Sequence, residues 1–255
     1  MVDYRTLFAS ALGLTPPWEV IEVRFSLEEH QLNIWVDFPP GSTFACPVYG
    51  RAGAKVYDSE KKTWRHLNFF QYRTYLHARV PRVECPGGCG VRRVRVPWVR
   101  PRSEFTLYFE GLIMLLAKDM PVKAIAELVE EHDIRIWRIL HHYVEEARAK
   151  LDYSQVRRVG VDETAAKRGH HYITLFVDLD TPRLLFATPG KGRKTIGAFS
   201  EDLQAHRGRP EDIETVCCDL SPAFIAGVKA FFSRARLVFD RFHVMKIINA
   251  AVDEV

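Results

Sequence analysis

The first hundred residues or so read as strands and turns, in which stretches of apolar and polar positions alternate with the period of two that puts successive side chains on opposite faces of a strand. WEVIEVRFSL and HQLNIWVDF are two such alternators separated by a polar turn, which predicts a hairpin, and RTYLHARVPRVEC predicts a further strand. A short amphipathic helix near YRTLFASALGL precedes them, and FPPGSTFACPVYG, rich in turn residues, lies between them as a loop.

From Glu104 the apolar period lengthens to that of a helix. Ser103 is placed to cap the run EFTLYFEGLIMLLAKDM, and Pro121 restarts a helix as KAIAELVEEH. A third helix, from about Ile134 to Lys150, turns Ile136, Leu140 and Tyr143 or Val144 inward and sets Arg135, Arg138 and His142 on another face. Three short helices with a polar break at EEHD fit a helix-turn-helix whose last helix offers that Arg/His face to a DNA groove. A plain helical connector fits the same pattern.

From Arg157 strands and helices alternate: RRVGVD, HYITLFVDLD and RLLFATP as strands, a helix over KTIGAFSEDLQAH, the strand ETVCCD, a helix over PAFIAGVKAFF, the strand RLVFDRF and a helix beginning at MKIINAAVDEV. Three strands with short joins form an antiparallel meander, and the later strand-helix-strand units must be parallel with right-handed crossovers. That order is the layout of an RNase H-like fold. The chain therefore reads as an α+β multidomain protein: a small N-terminal β-rich, zinc-ribbon-like domain over 1–102, a helix-turn-helix segment over 103–150, and an incomplete RNase H-like mixed α/β domain over 151–255.

Composition narrows the setting. The chain has 255 residues, 47% of them hydrophobic, enough for sizeable cores. No run of about 18 apolar residues occurs and the N-terminus lacks the pattern of a secretory signal, so a cytoplasmic protein with no membrane partner is expected. Five cysteines, odd in number and unevenly spaced, argue for reduced thiols. Net charge is +4, yet Lys61 to Arg102 carries eleven Lys and Arg against the single acid Glu84. Its last part, VRRVRVPWVRPR, sets Trp98 among Arg92, Arg93, Arg95, Arg100 and Arg102, a composition suited to phosphates; a solvated strand face is the alternative.

The chemistry rests on acids at strand ends. In an RNase H-like order, the first meander strand and the first strand after the helix are neighbours, with Asp162 ending or nearly ending one and Asp219 ending the other. Two such carboxylates suit a hard divalent cation, Mg²⁺ or Mn²⁺, of the kind that serves phosphodiester cleavage and transfer. An acid before a helix is more often a cap, but Ser221 and Pro222 already supply a cap and a first helical residue, which leaves Asp219 available. PGKGRKT is not a phosphate loop, because Arg193 separates Gly192 from Lys194. His170 and His171 read as exposed loop residues, and Cys217 and Cys218 as core.

Together, CPVYG, CPGGCG followed by VRRVRVPW, the helical segment, GVDET, CCDLSPAF and DRFHVMKIINAAVDEV make the chain resemble bacterial insertion-sequence transposases of the ISL3 family over its whole length. The resemblance implies a zinc-binding N-terminal region, a helix-turn-helix holding the element's ends, a DDE catalytic domain, double-stranded DNA of transposon ends and target as partner, a homo-oligomer, and a place at the nucleoid. It makes Asp162 the first catalytic carboxylate and Asp219 the second, with Asp240, Arg241 and His243 in a motif beside them. Two departures stand out. Tyr49 occupies the second cysteine position of the first knuckle, leaving Cys46, Cys85 and Cys89 for Zn²⁺; nothing in the spacing of His66 or His77 makes either a fourth ligand, and a metal-free loop stays open. The family's third acid, a glutamate, falls beyond Val255, and Glu254 reads as a surface acid. A transposase fragment is expected; a DNA-binding remnant that inhibits transposition, and a general RNase H-like nuclease, are the alternatives.

Overall fold

The structure is a computed structural model describing residues 3–167 and 171–253. The chain separates into two compact units, 1–143 and 144–255.

The first unit opens with α1 (Tyr4–Ala11) and the predicted hairpin, β1 (Glu19–Ser26) and β2 (Gln31–Asp37), paired antiparallel. The FPPGSTFACPVYG loop contains a two-residue strand, β3 (Thr43–Phe44). β4 (Ala54–Phe69) and β5 (Tyr72–Glu84) form a long antiparallel hairpin, and β6 (Val91–Arg93) pairs with β5. β2 joins β5 in parallel, giving the order β1-β2-β5-β4-β3. The alternation of β2 and β5 buries Leu32, Ile34, Val36, Leu76, Ala78 and Val80 against Trp18, Trp64 and Trp98. β4, the longest strand at 16 residues, is absent from the sequence reading. Its middle, DSEKKT, is polar on both faces, so it shows no period of two, and pairing with β5 holds it extended.

Three helices follow: α2 (Leu107–Leu116), α3 (Val122–Val129) and α4 (Asp133–Arg148). The N-cap of α2 is Thr106, whose side chain accepts the Phe109 N–H. Ser103, the expected cap, lies outside the helix and donates instead to Glu110 Oε1 at 2.6 Å. α3 ends at Glu130, which takes a left-handed conformation (φ 54°) and turns the chain into α4 without a glycine. On α4 Ile136 and Ile139 are buried and Leu140 and Tyr143 pack against the same core, so of the two residues expected after Leu140 it is Tyr143 that turns inward, while Val144 is 49% exposed.

In the second unit, β7 (Arg158–Lys167), β8 (His171–Asp178) and β9 (Arg183–Pro189) form the meander, followed by α5 (Arg193–Ala205), β10 (Thr215–Cys218), α6 (Pro222–Phe231), β11 (Arg236–Phe239) and α7 (Arg241–Asp253). The strand order β11-β10-β7-β8-β9 has β7 in the centre, with β10 and β11 parallel to it and the meander antiparallel, as an RNase H-like fold requires. α5 and α6 cover one face over Val159, Val161, Phe176, Val216 and Cys218. They cross closely at Gly227, where a Cβ would come within 2.9 Å of Ile196 Cβ. His171 is the first residue of β8 and exposed, not a loop residue; His170 lies outside the described residues.

Candidate functional site

The parallel register fixes the carboxylates. β10 pairs with β7 through Val216↔Val159 and Cys217↔Gly160, so two residues further on Asp219 comes level with Asp162. Val159, Val161, Val216 and Cys218 point into the core; alternation therefore turns Gly160, Asp162, Cys217 and Asp219 to the opposite face. β10 and β11 pair through Cys218↔Phe239, which sets Asp240 level with Asp219 on its other side. The registers thus set Asp162 on β7 level with Asp219 and Asp240, the residues that directly follow β10 and β11.

Two details differ from the sequence reading. Asp162 is mid-strand, paired with Leu175, because the β7–β8 hairpin continues to Lys167↔His171. Ser221 makes no side-chain cap on α6; Asp219 Oδ1 accepts the Ser221 N–H at 3.0 Å instead, so the acid is engaged through one oxygen. Asp162 Oδ1 accepts the Glu163 N–H at 2.8 Å. Among the described residues neither carboxylate has an ion-pair partner, and each keeps an oxygen outside these turns. Asp240 accepts the Phe242 N–H and pairs with His243 Nδ1 at 3.0 Å, which together hold its carboxyl below the usual range. Two exposed or half-buried carboxylates on adjacent strands are a donor set suited to Mg²⁺ or Mn²⁺. Among the described residues they do not join a third His, Cys, Asp or Glu in a cluster with donor atoms within 4.8 Å, and Glu254 lies outside those residues.

The only such trio among the described residues is Cys46, Cys85 and Cys89. Two turns build it: Cys46 C=O accepts the Gly50 N–H (2.8 Å), and Cys85 C=O accepts the Gly88 N–H (3.0 Å) while its Sγ accepts the Gly87 N–H (3.3 Å). Hydrogen bonding inside the trio pulls Cys85 below and pushes Cys89 above the usual thiol range. His77 is held between Thr63 and Asn33.

His66 is also committed elsewhere. Its Nδ1 lies 2.7 Å from Thr106 Oγ1, the atom that caps α2. The hydroxyl that accepts from Phe109 thus shares a second hydrogen bond with Nδ1. Burial, then the charge of Arg65, pushes His66 from 6.5 down to about 4. The folded state therefore keeps a neutral imidazole that the unfolded chain protonates below pH 6.5. Stability present above that pH is lost as pH falls toward 4, by up to about 3 kcal/mol. Denaturant unfolding at pH 7 and 4.5 should show a shallower loss in His66→Gln than in the parent; equal losses would rule out His66 as the source.

The basic run resolves into two kinds of arginine. Arg79 pairs with Asp37, Arg82 with Asp58, Arg93 with Glu60 and Arg73 with Glu130, acids outside the run. Arg65 is 2% exposed, held by Glu131, Asn68 and the Val129 carbonyl. Arg100 donates to the buried Glu110, and Arg135 pairs with Glu131 and Glu104 over the Phe105 ring. Arg92, Arg95, Arg102 and Arg138 are exposed with no ion pair among the described residues, and His142 is exposed on α4. Two contiguous clefts of about 600 and 280 Å³ share Arg100, Arg102, Ser103 and Glu104, with Arg93 and Arg95 lining the first and Arg135 and Arg138 the second.

A cysteine-knuckle β domain, a three-helix segment and an RNase H-like sheet with carboxylates on its central strands are, in that order, the architecture of a DDE transposase. Family profiles match in the same order: the zinc-finger of transposase IS204/IS1001/IS1096/IS1165 over residues 42–89, the helix-turn-helix domain of transposase family ISL3 over 94–144, and the ISL3 DDE transposase domain over 159–255. The chain belongs to the ISL3 transposase family. It is 32% identical over 209 residues to the transposase for insertion sequence element IS1557 of Mycobacterium tuberculosis, covering 80% of this chain and 46% of that protein. To the transposase for insertion sequence element IS1001 of Bordetella parapertussis it is 27% identical over 214 residues, 81% of this chain and 50% of that one. The chain spans about half the length of these relatives. A DDE domain implies use of a divalent metal, and a transposase helix-turn-helix implies DNA binding. No helix among the described residues is long and apolar enough to cross a membrane.

Proposed function

We propose that this chain carries the end-binding region and two catalytic carboxylates of an insertion-sequence transposase. Asp162 and Asp219 would hold Mg²⁺, which when bound activates a water or 3′-hydroxyl and offsets charge on the leaving oxygen. The observation that carries the reading is the β7–β10 register, which makes two acids remote in sequence neighbours on one face. Asp240 and His243 stand beside them as a hydrogen-bonded pair. The relatives' names supply the substrate class, ends of a mobile element, and target DNA and a homo-oligomer belong to the same proposal.

The clefts at Arg95, Arg102 and Arg138 are the proposed seat of the DNA backbone, since only unpaired guanidinium groups are free to release counterions from phosphates. Replacing these three by alanine is expected to lower the slope of log affinity against log salt by about 2 to 3, at roughly 0.9 per lost phosphate contact. Fluorescence anisotropy on element-end duplexes over a salt series reads this directly, and an unchanged slope would move the DNA elsewhere. A second reading, binding without cleavage, is favoured by the absence of a third donor clustered with Asp162 and Asp219 among the described residues. Adding Mg²⁺ to the pre-bound complex of a protein that carries the remaining length of the relatives separates the two: nicking at the element end supports the first, an intact duplex the second.

A further inference from the structure

Zinc in a structural site is held by four nitrogen or sulfur donors at the corners of a tetrahedron. Here the two knuckles supply three. The sulfurs of Cys46, Cys85 and Cys89 all lie within 4.8 Å of one another, and Cys46 Sγ is 3.6 Å from Cys89 Sγ. A tetrahedron with Zn–S bonds of about 2.3 Å has an edge of about 3.8 Å, so the trio is already spaced to bind. The fourth corner belongs to position 49 of CPVYG, where this chain has tyrosine. Its ring leans across to the second knuckle, where a Cβ at Gly87 would stand 3.0 Å from Tyr49 Cδ2 and 3.5 Å from Cε2. The residue remains 58% exposed. Among the described residues no histidine completes the trio: neither His66, bound through Nδ1 to Thr106, nor His77, between Thr63 and Asn33, brings a ring nitrogen within 4.8 Å of all three sulfurs.

We propose that Cys46, Cys85 and Cys89 bind one zinc ion as a three-thiolate site whose fourth donor is a solvent water, and that Tyr49 covers the second knuckle instead of ligating. The site is accordingly open to exchange by small exogenous thiols, unlike a closed four-cysteine site. This rests on the zinc-finger assignment of residues 42–89 and not on the carboxylate pair, so the two readings fail separately.

The test uses the whole chain, stripped of metal under reducing conditions and titrated with Co²⁺ as a spectroscopic reporter, then with Zn²⁺ against a chromophoric chelator. One equivalent of Co²⁺ should bind with a thiolate charge-transfer band, and a small added thiol should shift the visible bands. Tyr49→Cys should abolish that thiol response and tighten zinc at least about tenfold by closing the tetrahedron. Tyr49→Phe should leave spectrum and affinity unchanged within about twofold, because no phenol–metal bond is lost. A changed spectrum in Tyr49→Phe would make the phenol the fourth ligand and overturn the proposal. So would a parent protein that binds no metal, one whose bands ignore added thiol, or a Cys89→Ser variant that binds as tightly as the parent. Should Tyr49→Cys fail to fold, the thiol response of the parent and the Tyr49→Phe comparison decide the matter.

Discussion

Arg100→Ala is expected to destabilise the first unit by about 3–5 kcal/mol, while Arg102→Ala two residues away changes stability by no more than about 0.5 kcal/mol. The contrast follows from where each guanidinium goes. Glu110 on α2 is fully buried, and its carboxylate accepts from Arg100 Nε (2.9 Å), Ser103 Oγ (2.6 Å) and Tyr143 OH (2.8 Å). Arg100 is the one cation in that set and is itself only 19% exposed along its side chain. Removing it strands a negative charge among Phe109, Ile113 and their neighbours, where water cannot replace the lost partner. Chemical denaturation of both single variants measures the difference. The pair Arg100→Met with Glu110→Leu should recover much of the loss, since deleting both charges leaves nothing uncompensated. If Arg100→Ala proves as mild as Arg102→Ala, Arg100 is a surface charge after all and belongs with the DNA-facing arginines.

Asp219→Asn is expected to cost the carboxylate pair its grip on Mn²⁺ by at least about 100-fold, and Asp162→Asn a comparable amount, because a site of two anionic donors that loses one keeps little attraction for a hard dication. Neither change should weaken folding appreciably. Both side chains face away from the core, and asparagine retains the oxygen that accepts the Ser221 or Glu163 N–H. In a protein carrying the remaining length of the relatives, the same substitutions should abolish cleavage of element ends while leaving end binding intact. End binding is proposed for residues of the first unit, so a loss of both would mean that the acids act through structure.

Much of this was readable in the residues. The β1–β2 hairpin and the meander have clean alternation or turn punctuation, and the order of strands and helices after Arg157 admitted few topologies once parallel crossovers were required. That order by itself sets Asp162 and Asp219 at neighbouring strands. What escaped depended on partners distant in sequence. β4 is a strand because β5 pairs with it, although its own residues are polar on both faces. Eleven cations against one acid between Lys61 and Arg102 suggested a basic surface, yet Asp37, Asp58, Glu60, Glu110, Glu130 and Glu131 pair with six of the arginines across the sheet and the helices. Capping was legible in part. Thr106, not Ser103, sits where the first N–H groups of α2 point, whereas Ser221 and Pro222 do hold the N-cap and first helical positions of α6, although the Ser221 side chain makes no capping bond and its own N–H goes to Asp219.

The measurement that bears most directly on the carboxylate pair is Mn²⁺ binding followed by electron paramagnetic resonance in the parent, Asp162→Asn, Asp219→Asn and Glu163→Gln. Glu163 is the control, an acid adjacent in sequence whose place in the β7 alternation turns it to the other face of the sheet. Binding in the parent and in Glu163→Gln, with loss in both aspartate variants, is the predicted result. Equal binding in all four proteins, or loss only in Glu163→Gln, would contradict it.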